Sequence, residues 1–166
     1  MIDGRSWLPM HFALALGSKV GEEDIHEVHS ADPLSIQRYN MREGSFGYTP
    51  CHFLCMQKHP NISLVKYLSL RDLKAFSINI KFFYENTNNL ELAAKYSENV
   101  ELLKLLLQID QSMSRKDGFH QSSLSYLCER SASRFSTFDS MLECLIAANS
   151  SVDVVADGIN SCFISY

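Results

Sequence analysis

Two histidines stand three residues apart beside a group of carboxylates, at Glu22, Glu23, Asp24, His26 and His29. On a helix this spacing places both imidazoles on one face, as in many zinc sites of metal-dependent hydrolases. Such sites need further ligands at suitable spacing, and none follows in the sequence. We therefore favour a solvated acidic helix face over a metal centre.

Two further histidines, His11 and His52, each follow a proline by two residues. Either could act as a catalytic base, but no nucleophile and orienting group converge on them in the sequence. Gly-rich phosphate-binding motifs are absent, and Gly44-Ser-Phe-Gly47 is one residue short of a nucleophile elbow. We predict a protein that is not an enzyme, with no catalytic residues, no metal and no cofactor.

The five cysteines form no C-x-x-C pair, and each lies in or beside an apolar run: Cys51, Cys55, Cys128, Cys144 and Cys162. This pattern is typical of reduced thiols that pack in a core. We therefore expect an intracellular protein of the cytoplasm, or of the nucleus. The apolar stretch Trp7 to Leu16 resembles a signal peptide, but Pro9 and His11 interrupt it.

Composition and charge restrict the classes of partner that the chain can bind. The 166 residues suit one domain, and 46% hydrophobic with 20% charged residues is ordinary for a globular chain. A formal net charge of -4 argues against a nucleic-acid partner, which normally demands a basic excess. No apolar run approaches the roughly 20 residues that a membrane span requires. We expect a protein partner, with no nucleic acid and no membrane.

The elements around these residues repeat. Thr49 can cap a helix whose first residue is Pro50, and Pro9 begins a similar segment behind Leu8, which cannot cap. Asn88 with Glu91 predicts a capping box, and Ser122 is the cap of a fourth copy. A fifth start spans residues 157–164. The spacings are 41, 39, 34 and 38 residues if these positions are equivalent: His11, His52, Glu91, Ser125 and Phe163.

A second helix follows each of the first four starts. Apolar residues at helical spacing predict them in four groups: Ile25 and Val28; Ile62, Val65 and Leu68; Val100, Leu103, Leu106 and Leu107; Phe138, Met141, Leu142, Leu145 and Ile146. Pro33 is expected to stop the first, and Asn149 to end the last. One helix pair cannot bury its apolar faces alone, so neighbouring pairs must stack.

These residues resemble the ankyrin repeat, a β-turn and two antiparallel helices over about 33 residues with a T-P-L-H-x-A signature. Gly47-Tyr-Thr-Pro-Cys-His52 is the best match, and Leu8-Pro-Met-His-Phe-Ala13 is a partial one. Leu90-Glu-Leu-Ala-Ala94 with the run from Val100 to Leu107 resembles the two helices closely. The longer spacings predict insertions near residues 18–24, 71–84 and 129–137.

The resemblance implies an all-α fold, an ankyrin-like solenoid of about four helix-turn-helix repeats with a truncated fifth start. It covers residues 1–166 as a single domain, with repeats at roughly 3–40, 45–80, 84–113, 117–152 and a partial one at 157–166. In this family the equivalents of His11 and His52 tie turn to helix. The implied function is a non-catalytic interaction module or scaffold that binds a protein on its concave face.

Family members bind through hairpin tips and the exposed side of each first helix. The hairpin candidates are Arg42, Ser45, Phe46, Tyr48, Lys81, Phe82, Phe83, Tyr84, Arg115, Lys116 and Phe119. The first-helix candidates are Gln57, Lys58, Lys95, Tyr96, Glu129 and Arg130. The aromatic run at 82–84 is either a binding anchor or the cover of a small core of its own. Its replacement by alanine should weaken binding without loss of helix.

An alternative from another class is the regulatory ankyrin segment of a larger enzyme or channel. The chain stops inside a repeat start and lacks obvious polar caps, which is what a fragment would show. A coding frame that continues on either side would favour this interpretation.

Overall fold

The computed structural model describes residues 8–39, 47–78, 80–82, 85–110, 123–130 and 136–148; at positions 18, 81–82 and 85–86 it describes the backbone alone. Within these ranges the chain is predominantly helical, as predicted. The fifth start, the caps at Ser122 and Asn149, and several hairpin candidates lie outside them. No helix of the described ranges is long and apolar enough to cross a bilayer.

Four short helices begin where the repeated starts predict them. They are α1 (Pro9–Leu16), α3 (Pro50–Cys55), α6 (Asn89–Tyr96) and α8 (Ser123–Glu129). Pro9 and Pro50 occupy the first turn, where a missing N–H costs nothing. Leu8 stands at the N-cap of α1 without a side-chain cap, as expected for an apolar residue.

The predicted second helices are also present, as α2 (Glu22–Ala31), α4 (Ile62–Arg71), α7 (Val100–Ile109) and α9 (Phe138–Ala148). Asn61 and Asn99 cap α4 and α7, because the side-chain oxygen of each accepts the backbone N–H three residues later, at 3.2 Å. Ile146, assigned to the buried stripe of α9, is exposed instead.

The helices form two layers. In the first-helix row, α1 contacts α3, α3 contacts α6, and α6 contacts α8. In the second-helix row, α4 contacts α7 and α7 contacts α9, while α2 reaches α4 through side chains. Pairs within one repeat also touch, namely α1 with α2, α6 with α7 and α8 with α9. One continuous apolar core fills the space between the two rows.

The predicted insertion between residues 71 and 84 contains structure that the apolar pattern did not reveal. A one-turn helix, α5 (Leu73–Phe76), follows α4 directly, and Asp72 caps it by accepting the N–H of Ala75. Phe76 is fully buried and is the largest of the fully buried side chains in the described ranges. The insertion therefore contributes to the core.

Behind α5 the chain forms a two-stranded antiparallel hairpin, β1 (Ile80–Phe82) and β2 (Glu85–Thr87). Ile80 pairs with Thr87, and Phe82 pairs with Glu85. Ile80 is buried at the base of this hairpin. Within the described ranges, the all-helical expectation is thus incomplete at this hairpin.

α2 ends at Ala31 with Asp32 as its C-cap, so the predicted stop at Pro33 is confirmed. Pro33 then opens a 3-10 turn, Pro33–Gln37, that buries Ile36 and contacts α3. One local expectation is wrong. The five thiols are not all reduced, since Cys128 is disulfide-bonded, whereas Cys51, Cys55 and Cys144 are free.

Candidate functional site

The start of α3 is organised by the buried ring of His52. Its Nδ1 accepts the backbone N–H of Thr49 at 2.8 Å and lies 2.6 Å from the Thr49 hydroxyl oxygen. Its Nε2 lies 3.0 Å from the carbonyl oxygen of Ile78, which can only accept. Nε2 therefore carries the hydrogen, and the ring is neutral and fully occupied.

His11 and Glu91 occupy the same position in α1 and α6. His11 Nδ1 accepts the N–H of Leu8 at 3.3 Å, and its Nε2 lies 3.1 Å from the carbonyl oxygen of Tyr48. Glu91 Oε2 accepts the N–H of Asn88 at 2.8 Å, and Asn88 Oδ1 accepts the N–H of Glu91 at 2.9 Å. The predicted capping box is confirmed, and two residue types perform one task at helix starts.

These environments shift the titration of the histidines. Burial lowers the pKa of His52 to about 4, although the bond to the Ile78 carbonyl favours the charged form and nearby His11 opposes it. Burial also lowers the pKa of His11, against hydrogen bonds to the backbone at Tyr48 and Arg38. Both rings stay neutral near pH 7, and neither has a nitrogen left for a substrate.

The thiols of α3 offer no nucleophile. Cys51 and Cys55 are fully buried in the core, as predicted, and burial raises the pKa of both thiols. A thiol needs thiolate character and access to react. In the described part of the chain, no three His, Cys, Asp or Glu residues lie close enough together to hold a metal ion.

His26 and His29 pack against another aromatic residue. The His26 ring stacks on Tyr67 with centroids 3.8 Å apart, and His29 meets the same ring edge-on at 5.9 Å. The Arg71 guanidinium lies 5.2 Å from the centre of that ring. The solvated acidic face is therefore confined to the carboxylates of α2, while the imidazoles join α2 to α4.

The outer side of the first-helix row carries a pocket with both aromatic and charged walls, which we call the Lys95 pocket. It lies between the hairpin and the helices α6 and α8. Its walls are Tyr48, Ile80, Thr87, Glu91, Leu92, Lys95, Tyr96 and Tyr126. The fold therefore brings together residues from four segments, over residues 48 to 126.

Lys95 is the cation of this pocket. Its ammonium lies 5.2 Å from the ring centre of Tyr126 and 5.7 Å from that of Tyr96, so two π-faces hold it in place. Tyr96 is 45% exposed. Tyr48 continues the aromatic surface towards α3, since its ring lies 5.6 Å from that of Phe53.

Three predicted site residues thus share one surface: Tyr48, Lys95 and Tyr96. Lys81 and Phe82 lie in β1, where the backbone alone is described. The remaining hairpin candidates lie outside the described residues: Arg42, Ser45, Phe46, Phe83, Tyr84, Arg115, Lys116 and Phe119.

Three first-helix candidates bind their own chain. Arg130 donates to the carbonyl oxygens of Ala94 at 2.8 Å and Ser97 at 2.7 Å, at the end of α6. Gln57 donates to the carbonyl oxygen of Leu14 in α1. Lys58 pairs with Glu98 at 3.1 Å. Glu129 is exposed.

Sequence reasoning missed Tyr126 and Leu92 as site residues. Both are the fourth residue of their helix. Leu92 directly follows Glu91 in α6, and Tyr126 directly follows the equivalent Ser125 in α8. Aligning the four first helices column by column would have identified this position.

Comparison with models of known protein families finds no match. Comparison with curated proteins finds no significant match either.

Proposed function

We propose that the chain is a non-catalytic interaction module of ankyrin-like repeats, which binds a protein partner on the outer side of its first-helix row. One observation carries the proposal. The Lys95 pocket and the aromatic surface beside it are assembled from residues of the hairpin, of α6 and α8, and of the start of α3. Exposed tyrosines such as Tyr96 are typical anchors of protein–protein interfaces.

The way the chain uses its polar groups supports a binding role over a catalytic one. Both ring nitrogens of His11 and of His52 form hydrogen bonds with the backbone, and the thiols of Cys51 and Cys55 are buried. The contacts that span repeats are structural, such as Arg130 to the end of α6. A rigid stack of this kind presents side chains at fixed spacing.

The test is capture of partners by the purified 166-residue chain from a lysate of its own organism, with quantification by mass spectrometry. The wild type is compared with a Lys95→Ala/Tyr96→Ala variant and with a matched control, Leu70→Ala/Leu73→Ala. Both pairs are exposed, but the control pair lies on α4 and α5, and Leu70 is 86% exposed. Far-UV circular dichroism checks that all three proteins keep their helices.

We expect at least one protein to be retained by the wild type and the control, and to be reduced on the Lys95/Tyr96 variant. Equal retention by all three proteins would place binding elsewhere and contradict the proposal. Retention of nothing by the wild type would also contradict it.

A further inference from the structure

Among the described walls of the Lys95 pocket, the exposed charged side chain is that of Lys95. Lys58 and Lys104 form ion pairs with Glu98 and Glu101, but Lys95 has two aromatic rings and no ion pair within the described part of the chain. An ammonium held over aromatic faces keeps its charge while part of its surface is shielded from water.

The carboxylate of Glu91 also lines the pocket, but it does not neutralise the charge of Lys95 at the pocket opening. Glu91 is fully buried, and its Oε2 accepts the N–H of Asn88 at the start of α6. That interaction directs the carboxylate towards the N-terminal end of the helix, where a negative charge is favourable. The exposed Lys95 side chain is therefore the charged group that an incoming ligand meets.

We propose that the Lys95 pocket binds the side-chain carboxylate of an Asp or Glu in an extended segment of the partner; this rests on the proposed function. The ammonium supplies a charge-assisted hydrogen bond, and Tyr96 and Tyr126 flank the pair. A single ammonium matches a single negative charge. A phosphate dianion is usually held by clustered arginines, which the walls of this pocket lack.

The same row offers an apolar contact further along. Phe12 and Leu16 of α1 are 41% and 50% exposed, at the repeat positions that Leu92 and Tyr96 occupy in α6. Packed helices lie about 8–10 Å apart, so α1 is roughly 16–20 Å from α6 across α3. An extended chain covers about 3.3–3.6 Å per residue. The ligand therefore combines an acidic residue with an apolar one about five or six positions away.

The probe is a displayed library of random peptides of about 12 residues, selected in parallel on the wild-type chain, Lys95→Glu and the matched control Lys74→Glu. Lys74 is exposed on α5, away from the pocket walls. We expect Asp or Glu to be enriched at one position on the wild type and the control, and Lys or Arg to replace it on Lys95→Glu.

One selected peptide is then synthesised, and its Kd is measured by fluorescence anisotropy. Replacing its acidic residue by the amide should weaken binding to the wild type roughly tenfold, about 1.4 kcal/mol. Lys95→Met should cause a similar loss with the acidic peptide, and the two changes together should cause no further loss. Circular dichroism of Lys95→Met checks that the loss is not unfolding.

The outcomes separate the two proposals. Peptides without acidic enrichment, or the same peptides on wild type and Lys95→Glu, overturn the carboxylate site and leave the interaction module standing. A phosphoserine in place of the acid that binds more than tenfold tighter overturns the choice of a carboxylate. Selection of no peptide on any of the three proteins contradicts the interaction module itself.

Discussion

The Nε2 atom of His52 donates a hydrogen bond to the carbonyl oxygen of Ile78, 26 residues further along the chain, at 3.0 Å. The same ring accepts the N–H of Thr49 through Nδ1. One buried side chain thereby joins the start of α3 to the segment that leads into the hairpin. His11 makes the equivalent link to the carbonyl oxygen of Tyr48, 37 residues away.

Replacing His52 by alanine should lower the free energy of unfolding by about 2–4 kcal/mol, because the Thr49 N–H and the Ile78 carbonyl oxygen lose their partner and a cavity opens. Urea denaturation followed by circular dichroism measures the change. His59→Ala, at an exposed position just after α3, is the control and should stay within about 0.5 kcal/mol of the wild type. A His52→Ala protein as stable as the control would show that the bonds contribute nothing.

Stability should depend on pH because the pKa of His52 is about 4 in the folded chain, below its ordinary value of 6.5. Between these values the unfolded state binds the proton and the folded state does not, so stability falls as pH falls through this window. His52 alone should contribute a loss of about 1 kcal/mol between about pH 7 and pH 5.5. Urea midpoints at the two pH values measure it.

The matched variant for this pH effect is His52→Gln, which cannot titrate. Its stability difference between the two pH values should be smaller than that of the wild type, with the remainder carried by other groups such as His11, whose pKa is also lowered. An identical difference in both proteins would show that His52 does not cause the effect.

Arg130, which the sequence analysis assigned to the binding surface, should instead stabilise the fold. Its guanidinium bonds the carbonyl oxygens of Ala94 and Ser97, where α6 ends and carbonyl groups lack helical partners. Arg130→Met should destabilise the chain by about 1–2 kcal/mol. Thermal or urea unfolding measures this, with the exposed neighbour variant Glu129→Gln as control. If the two variants have the same unfolding free energy, the hydrogen bonds of Arg130 do not stabilise the fold.

Among the glycines of the described ranges, Gly17 has a positive φ and little room for a side chain. Its φ is 58°, in the region that favours glycine, and an added Cβ would lie 3.0 Å from the Gln57 side chain. Gly17→Ala should therefore cost about 1–2 kcal/mol in unfolding free energy. Gly21→Ala is a useful comparison, because the backbone there has φ -66°. Equal stability of the two variants would contradict the argument.

Local signals predicted the helices well because they act within a few residues. Pro50 suits a first helical turn, and Asn88 with Glu91 forms a reciprocal cap, whatever lies beyond. The burial of Phe76 in α5 could not be predicted in this way. A four-residue helix has no periodicity to detect, and its core position comes from contacts with α3 and α7.

Part of the candidate site was within reach of the sequence. Lys95 and Tyr96 lie at the exposed end of α6, and Tyr48 lies just before the start of α3, as the repeat pattern indicates. Arg130 was assigned to the same surface, but it turns towards α6, because the carbonyl oxygens there are within its reach and need a donor. Residue spacing alone does not distinguish a lysine or arginine side chain that stays exposed from one that binds its own chain.

The sequence by itself determined where the described helices begin and which of their faces are apolar, since capping and periodicity are local properties of the chain. Only the tertiary structure decided that His52 reaches Ile78, that His26 stacks on Tyr67, and that Lys95 lies between two tyrosine rings. These contacts join residues from different elements, and they depend on how closely and in what register the helices pack.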